Sequence, residues 1–228
     1  MQNTQTTEYD YSEARAITTT LIRSVSKQEV ASLADLHVRL LPNSLQTKLG
    51  RAFINLYYES LVATPGFFCD GFFLNSILVG FITYSPSPWR AFRLAFRSRW
   101  LSFSLVLLRS ILRQPRRFSL VLSVLPFLFG GVCEPGREIE AETLNVAVLP
   151  EYRQSRPFYK RTNINVREDL RHHEFAVLKS LGVRRVKAMP EAGNWAVIHS
   201  LERGGWKLLG ELNRRGKNLA LYVKDISA

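Results

Sequence analysis

The chain has 228 residues with a net charge of +12, and 46% of them are hydrophobic, which is enough for one domain with a large core. Its two cysteines, Cys69 and Cys133, lie far apart without a Cys/His cluster, which argues against a disulfide scaffold or a metal site and fits a reducing cytoplasm. The polar residues 1–15 lack the apolar core of a signal peptide, so we expect a flexible leader before a single domain at 16–228.

Apolar periodicity and turn signals predict an alternation of strands and helices. The capping box of Ser26 and Glu29 marks the start of the first helix, and Gly182 marks the end of a later one. In chain order, the predicted elements are a strand at 16–25, helices at 26–41 and 44–63, strands at 67–74 and 77–84, helices at 89–113 and 118–129, a strand at 138–149, a helix at 166–181, a strand at 183–189, a helix at 194–203, and a hairpin of 207–212 with 219–223.

Residues 86–133 form an Arg-rich segment with eight arginines and no lysine, aspartate or glutamate, so they supply +8 of the net charge and the remaining chain supplies +4. This concentration favours an anionic partner such as phospholipid or a phosphorylated ligand. Nucleic acid is the weaker candidate because no recognition motif accompanies the charge. The longest uncharged run, Phe118–Cys133, is shorter than the ~20 apolar residues of a membrane span, so we expect an interfacial amphipathic hairpin or a cover on a substrate cleft.

The strand around 141–149 carries a candidate catalytic carboxylate. Strand alternation places Glu142 on the same face as Leu144, Val146 and Val148. A carboxylate among apolar side chains loses hydration, which raises its pKa into the range of a general base. The alternative is that Glu142 lies in solvent at the end of the strand.

The run from Ala141 to Arg153 reads A-E-T-L-N-V-A-V-L-P-E-Y-R and resembles the fourth strand of the Gcn5-related N-acetyltransferases, A-E-hydrophobic through L-A-V-x-P-x-Y-R. The spacing from Asn194 to Gly205 and Trp206 also matches this family. The resemblance covers about 16–224, interrupted by the Arg-rich insertion at about 86–137. It implies an α/β fold with a mixed, twisted sheet flanked by helices, and an inserted helical hairpin.

The family resemblance also implies a site. Glu142 would be the general base for the acceptor amine, and the backbone of Val146, Ala147 and Val148 would bind the pantetheine arm of acetyl-CoA. Arg153 and Asn194 would contact the same cofactor, and no metal would take part.

Two family features are missing. Arg156 and Phe158 stand where the pyrophosphate loop should have glycines, so we expect an insertion at 154–159 and a displaced loop at 160–165. Asparagine tolerates a left-handed backbone, which suits such a loop. The cofactor-binding residues of this loop would be Lys160, Arg161, Asn163 and Asn165. The alternative is a plain basic loop with a helix cap at Asn165.

The second missing feature is the tyrosine that protonates the leaving thiolate, because Leu201 occupies its place. Tyr58, Ser200 or water would have to replace it.

The resulting hypothesis is an acetyl-CoA-dependent N-acyltransferase that transfers an acyl group directly to an amine. Its arginines favour an acceptor that bears phosphate or carboxylate, or one presented at an anionic membrane surface. We expect the protein in the cytoplasm or peripherally at the inner face of the membrane. The alternative hypothesis is a catalytically inactive protein that kept the fold as a binding or membrane-docking module. The sequence leaves the acceptor and the oligomeric state open.

Overall fold

The computed structural model describes residues 20–122, 140–154, 156–214 and 217–227. The strands are β1 Thr20–Ser24, β2 Phe68–Leu74, β3 Ile77–Ser85, β4 Ala141–Val148, β5 Arg185–Ala188, β6 Lys207–Arg214 and β7 Lys217–Asp225. The helices are α1 Val30–Leu40, α2 Leu45–Leu49, α3 Arg51–Val62, α4 Pro88–Ser98, α5 Trp100–Arg113, α6 Pro157–Thr162, α7 Val166–Ser180 and α8 Trp195–Arg203. Residues 118–122 are also helical.

The strands form one mixed sheet in the order β1-β2-β3-β4-β5-β7-β6. Neighbouring strands are antiparallel except β4 and β5, which run parallel. The parallel pairing is short, because it joins only Ala141–Thr143 to Val186–Ala188. β4 continues beyond it to Val148, so a cleft opens between the two strands. The predicted α/β class, with a mixed sheet flanked by helices, is confirmed.

Helices cover both faces of this sheet. On one face, His37 of α1 stacks on Phe81 of β3 with ring centroids 6.1 Å apart. On the other face, His173 of α7 lies 3.3 Å from the carboxylate of Asp70 on β2. The core lies between the layers, and its largest fully buried side chains include Tyr58, Tyr84 and Phe81. This packing fixes the central strands, and therefore the cleft beside β4.

Local sequence signals correctly predicted where two helices begin or end. The Ser26 N–H donates to the Glu29 carboxylate at 2.9 Å, as the capping box requires. Gly182 follows α7 with a φ of +80°, a conformation that favours glycine.

Two long predicted helices are each divided in the structure. The helix expected at 44–63 is interrupted at Gly50, whose φ of +106° is incompatible with a continuous α-helix. The helix expected at 89–113 breaks at Arg99, where φ is −135°. The predicted leader, the start of the first strand, residues 123–139 with the end of the insertion, and the tip of the last hairpin lie outside the described residues.

The described part of the insertion packs on α3 through its own apolar cluster. This cluster contains Leu49, Phe53, Leu56, Phe103, Leu107 and Val121. The Ser110 hydroxyl donates to the Leu49 carbonyl at 2.8 Å, and Arg99 forms an ion pair with Glu59 at 2.8 Å. These contacts fix α4 and α5 against the α1/α3 layer. In the described ranges, none of the helices combines the length and apolar character needed to cross a membrane.

Candidate functional site

A β-bulge in β4 changes which side chains share a face. Thr83 of β3 pairs with Asn145, and the next residue, Tyr84, pairs with Thr143. Leu144 is therefore the extra residue of the bulge. One extra residue reverses the in-and-out alternation beyond it.

The contacts of β4 with α7 show this reversal. The Thr143 hydroxyl donates to Glu174 of α7 at 2.6 Å. Val148 pairs with Gly80, and a Cβ added at Gly80 would lie 3.2 Å from both Val148 and an α7 side chain. Both strand residues thus face α7, although regular alternation would separate them. Glu142 faces the opposite layer, so the prediction that it shares a face with Val146 and Val148 is wrong.

Glu142 lies in an enclosed polar position on the α1/α3 side of the sheet. It is 9% exposed, and its Oε2 lies 3.9 Å from the Nζ of buried Lys187 on β5. Burial raises the pKa of Tyr57 on α3, a hydrogen bond with Gln46 opposes this, and the charge of Glu142 raises it further. By contrast, Glu140 is exposed. Its carboxylate accepts hydrogen bonds from the backbone N–H groups of Arg184, just before β5, and Arg185, the first residue of β5. The structure therefore buries Glu142 beside the ammonium of Lys187 instead of leaving it in solvent.

A cavity of about 760 Å³ opens where β4 extends beyond β5. The start of α7 and one side of α8 form its other walls. Its lining residues are Val148, Arg153, Gln154, Tyr159, Asn165, Arg167, Glu168, Ala196, Ser200, Arg203 and Gly204. Of the predicted cofactor-binding residues, this cavity brings together Val148, Arg153 and Asn165.

The lining contains three arginines and one glutamate, so the cavity is basic. Burial lowers the pKa of Arg167, and the charges of Arg171, Arg153 and Arg203 lower it further, against the opposing effect of Glu168. These guanidinium groups are thus close enough to repel one another. A bound anion at the start of a helix would relieve that repulsion. The cavity therefore has the electrostatics of an anion-binding site.

Arg171 extends this basic cluster toward the interior. Its side chain is buried and lies over the Trp206 ring, with its guanidinium carbon 5.3 Å from the ring centroid. Burial lowers its pKa. Within the described residues, its Nε and Nη1 lack hydrogen-bond partners. Buried donors of this kind are costly unless they are paired.

The predicted loop at 160–165 needs correction. Lys160 and Arg161 belong to α6, which begins with Pro157 and packs through Phe158 on Tyr152 with ring centroids 5.0 Å apart. Proline at the first position favours this short helix. Arg161 lines a different hollow, together with Tyr152 and Phe158.

The two asparagines of the predicted loop have distinct roles. Asn163 adopts the expected left-handed backbone, with φ +55°. Asn165 caps α7, and its Oδ1 accepts the Glu168 N–H at 3.5 Å. The N-cap interpretation of Asn165 therefore describes the structure, and Asn165 also borders the cavity.

Asn194 caps α8 in the same way, since its Oδ1 accepts the Val197 N–H at 3.4 Å. It is exposed and is not one of the residues that line the cavity. The positive charge of Arg167 beside the predicted loop had pointed to a phosphate-binding role, and Arg167 does line the cavity. Sequence reasoning missed Arg203, whose only signal was positive charge near the end of a predicted helix, which many solvated helices share.

Three residues were considered for the missing general acid, which would protonate the leaving thiolate: Leu201 at its position, and Tyr58 and Ser200 as replacements. Leu201, at the position of the family's tyrosine, is only 1% exposed. The Tyr58 hydroxyl is 2.6 Å from Nδ1 of His37, inside the α1/α3 layer, and burial lowers the pKa of His37 to about 4. Ser200 borders the cavity instead, so it is the better placed of the two suggested hydroxyls. Among the described residues, no group of three or more metal-ligating side chains occurs.

The buried carboxyl of Glu174 should make stability depend on pH. Burial raises its pKa to about 7 from the ordinary value of 4.5, while the Thr143 hydrogen bond and the charge of Arg171 oppose the shift. The folded state therefore binds the extra proton more tightly than the unfolded state. Its contribution is present below pH 4.5 and is lost as the pH rises toward 7, by on the order of 3 kcal/mol.

Urea unfolding at pH 5, 6, 7 and 8 measures this effect in the wild type and in Glu174→Gln. The free energy of unfolding of the wild type relative to the variant should fall as the pH rises, because glutamine cannot ionise. A constant difference over this range would show that Glu174 does not titrate there.

No family model and no curated protein matches the chain. An N-acetyltransferase from Staphylococcus aureus Mu50 is similar in structure, with 14% identity, coverage of 92% of this chain and 99% of that one, and a TM-score of 0.55. NAA60 of Arabidopsis thaliana, solved with acetyl-CoA, is 12% identical, with coverage of 92% and 100% and a TM-score of 0.54.

A third similar structure is the PaiA N-acetyltransferase from Thermoplasma acidophilum in complex with coenzyme A. It is 12% identical, with coverage of 91% of this chain and 99% of that one, and a TM-score of 0.52. At these identities the likeness is one of fold.

Proposed function

We propose that this chain, which has the fold of the Gcn5-related N-acetyltransferases, transfers an acetyl group from acetyl-CoA directly to an amine. The basic cavity where β4 and β5 part is the observation that carries the proposal, because it combines a basic lining with a part of β4, beyond Thr143, that does not pair with β5. Two of the structurally similar proteins were solved with coenzyme A or acetyl-CoA, which supports the choice of donor.

The residues present fit the donor in two ways. Arg153, Arg167 and Arg203 would neutralise the pyrophosphate and 3′-phosphate, and charge-assisted bonds from arginine suit those groups. The orphaned Arg171 donors would pair with carbonyls of the pantetheine arm as it passes Val146–Val148. This arrangement replaces the glycine loop with side-chain cations, although Glu168 in the lining works against it.

In the proposed reaction, the amine nitrogen attacks the thioester carbonyl carbon. Glu142 takes the proton that the nitrogen loses, through a water molecule. The carbon–sulfur bond then breaks, and its electron pair leaves with the sulfur. A proton from the Ser200 hydroxyl, replenished from water, or from water directly completes the thiol. The acceptor would approach Glu142 from the α1/α3 side, where Tyr57 lies.

We propose a different acceptor class from the one expected from charge. The described arginines of the insertion are exposed or half-buried, and none of them lines the cavity. Next to Tyr57, the insertion instead encloses an apolar hollow of about 180 Å³, lined mainly by leucines and aromatic rings of α2, α3, α4 and α5. We therefore propose an amine with an apolar portion, instead of an anionic one, as the acceptor.

A second candidate function is that of a binding module without catalysis. Two observations favour it: buried Leu201 replaces the usual acid, and Glu168 lies in the cavity that would hold phosphate. The module would use the same fold without turning over acetyl-CoA.

Acceptor-dependent thiol release separates the two candidates. The purified chain is incubated with acetyl-CoA and a panel of alkyl, aryl and peptide amines, and both free thiol and acetylated amine are measured. The proposal predicts equal amounts of the two products with at least one apolar amine. Acetyl-CoA binding without product from any amine would support the binding module.

A further inference from the structure

We propose that the helical insertion docks this protein on an anionic lipid bilayer. The proposal concerns the outer surface of α4, α5 and residues 118–122, which we call the insertion face. Its large exposed apolar side chains are Leu94, Trp100, Leu101, Leu105, Leu108, Leu112, Phe118 and Leu122. It does not depend on the proposed catalysis, because docking requires neither acetyl-CoA nor Glu142.

A leucine stripe on α5 is the first observation. Leu101, Leu105, Leu108 and Leu112 follow one another at intervals of four, three and four residues, so they share one face of the helix. They are between 54% and 74% exposed. The opposite face of α5 is already buried against α3. The stripe is thus not required by the core, and large exposed apolar surfaces usually mark an interaction site.

Positive charge next to this stripe is the second observation. Arg109 and Arg113 are exposed on α5 itself. On the adjacent α4, Arg90, Arg93 and Arg97 recur at three- and four-residue intervals and are also exposed. The sequence of 86–133 contains no acidic residue to balance them. An apolar stripe beside unbalanced arginines is the composition of a helix that lies in a membrane interface with anionic headgroups.

This combination favours a bilayer over other anionic partners. Nucleic acid offers phosphates but no apolar medium for four leucines. Trp100 is exposed at the start of α5, and tryptophan is enriched where membrane meets water. The long arginine side chains can keep their charges at the headgroups while their carbon stems lie on apolar surface. Docking would place α4 and α5, and the apolar hollow below them, next to the lipid.

Vesicle co-sedimentation tests the proposal with the full chain. Vesicles of phosphatidylcholine alone are compared with vesicles that also contain phosphatidylglycerol. Binding to the anionic vesicles should be at least about tenfold stronger and should weaken with salt, because several arginines contribute. Leu105→Glu/Leu108→Glu should lower that binding at least about tenfold, since it places two carboxylates in the interface.

Ile77→Glu/Leu181→Glu provides the matched control. It changes two exposed apolar residues outside the insertion and alters the net charge by the same amount. We expect it to retain wild-type vesicle binding, and circular dichroism should show both variants folded. A third variant, Arg109→Gln/Arg113→Gln, should bind anionic vesicles more weakly and with a smaller salt dependence.

Three results would overturn the proposal. A wild-type protein that does not bind anionic vesicles would show that the insertion face does not dock on a bilayer. An equal loss of vesicle binding in the leucine variant and in the control variant would show that the loss comes from the change in net charge alone. A wild-type dimer in gel filtration that only the leucine variant breaks, with no vesicle binding, would assign the insertion face to a second copy of the chain.

Discussion

Glu142→Gln should lower kcat roughly a hundred- to a thousandfold, which is the usual contribution of a general base. Glu142 is 9% exposed, and the Lys187 ammonium 3.9 Å away favours the ionised carboxylate, which is the form that can accept a proton. Glutamine keeps the shape but cannot accept that proton. The dissociation constant of acetyl-CoA should change little, because the cavity arginines lie elsewhere. Steady-state thiol release and calorimetry give the two values.

Two controls separate chemistry from folding. Removing the Glu142 charge leaves Lys187 as a buried cation, at a cost of on the order of 3 kcal/mol. Glu142→Gln/Lys187→Met should recover that stability without recovering kcat. Glu140→Gln changes an exposed carboxylate two residues away and should keep wild-type kcat. A Glu142→Gln variant with normal kcat would remove Glu142 from the mechanism.

Arg167→Glu/Arg203→Glu should raise the dissociation constant of acetyl-CoA at least about a hundredfold. Each change replaces a charge-assisted hydrogen bond to phosphate with repulsion, and each such bond contributes about 1.5–3 kcal/mol. Burial and neighbouring arginines lower the pKa of Arg167, which means that its charge is destabilised there, and a bound anion would offset that cost. Acetylpantetheine, which lacks the phosphates, should bind wild type and variant equally. Titration calorimetry measures all four combinations.

Lys160→Glu/Arg161→Glu is the matched control, with the same change in net charge on α6. It should alter the dissociation constant less than about threefold, because Arg161 lines a separate hollow and the Debye length of about 8 Å limits the effect of distant charges. A loss equal to that of the cavity variant would return the phosphates to the predicted loop at 160–165.

The order of strands and helices could be predicted because each element carries a local signal. The capping box of Ser26 and Glu29 predicts the start of a helix, and Gly182 predicts the end of another. The bulge at Leu144 could not be predicted, because it depends on how β4 registers against β3 and not on β4 alone. One extra residue moves every later side chain of the strand to the opposite face of the sheet. The local sequence therefore could not predict that Glu142 and Val148 lie on different faces.

The site divides in the same way. Glu142, Val148 and Arg153 lie in one continuous run that carries the family resemblance, so they could be named from the sequence. Arg167 and Arg203 lie on α7 and α8 and meet at one cavity only through the packing of the two helices. The stretch before α7 was predicted as an insertion followed by a loop because the family resemblance implies a pyrophosphate loop before this helix. Proline at position 157 and the packing of Phe158 on Tyr152 make part of it helical.

A calorimetric titration of the wild-type chain with acetyl-CoA tests whether this fold binds the proposed acyl donor. We expect one site per chain with a dissociation constant in the micromolar range, and competition by coenzyme A. An absence of binding at millimolar acetyl-CoA, with a correctly folded sample, would contradict the account and leave an acetyltransferase fold that no longer uses its cofactor.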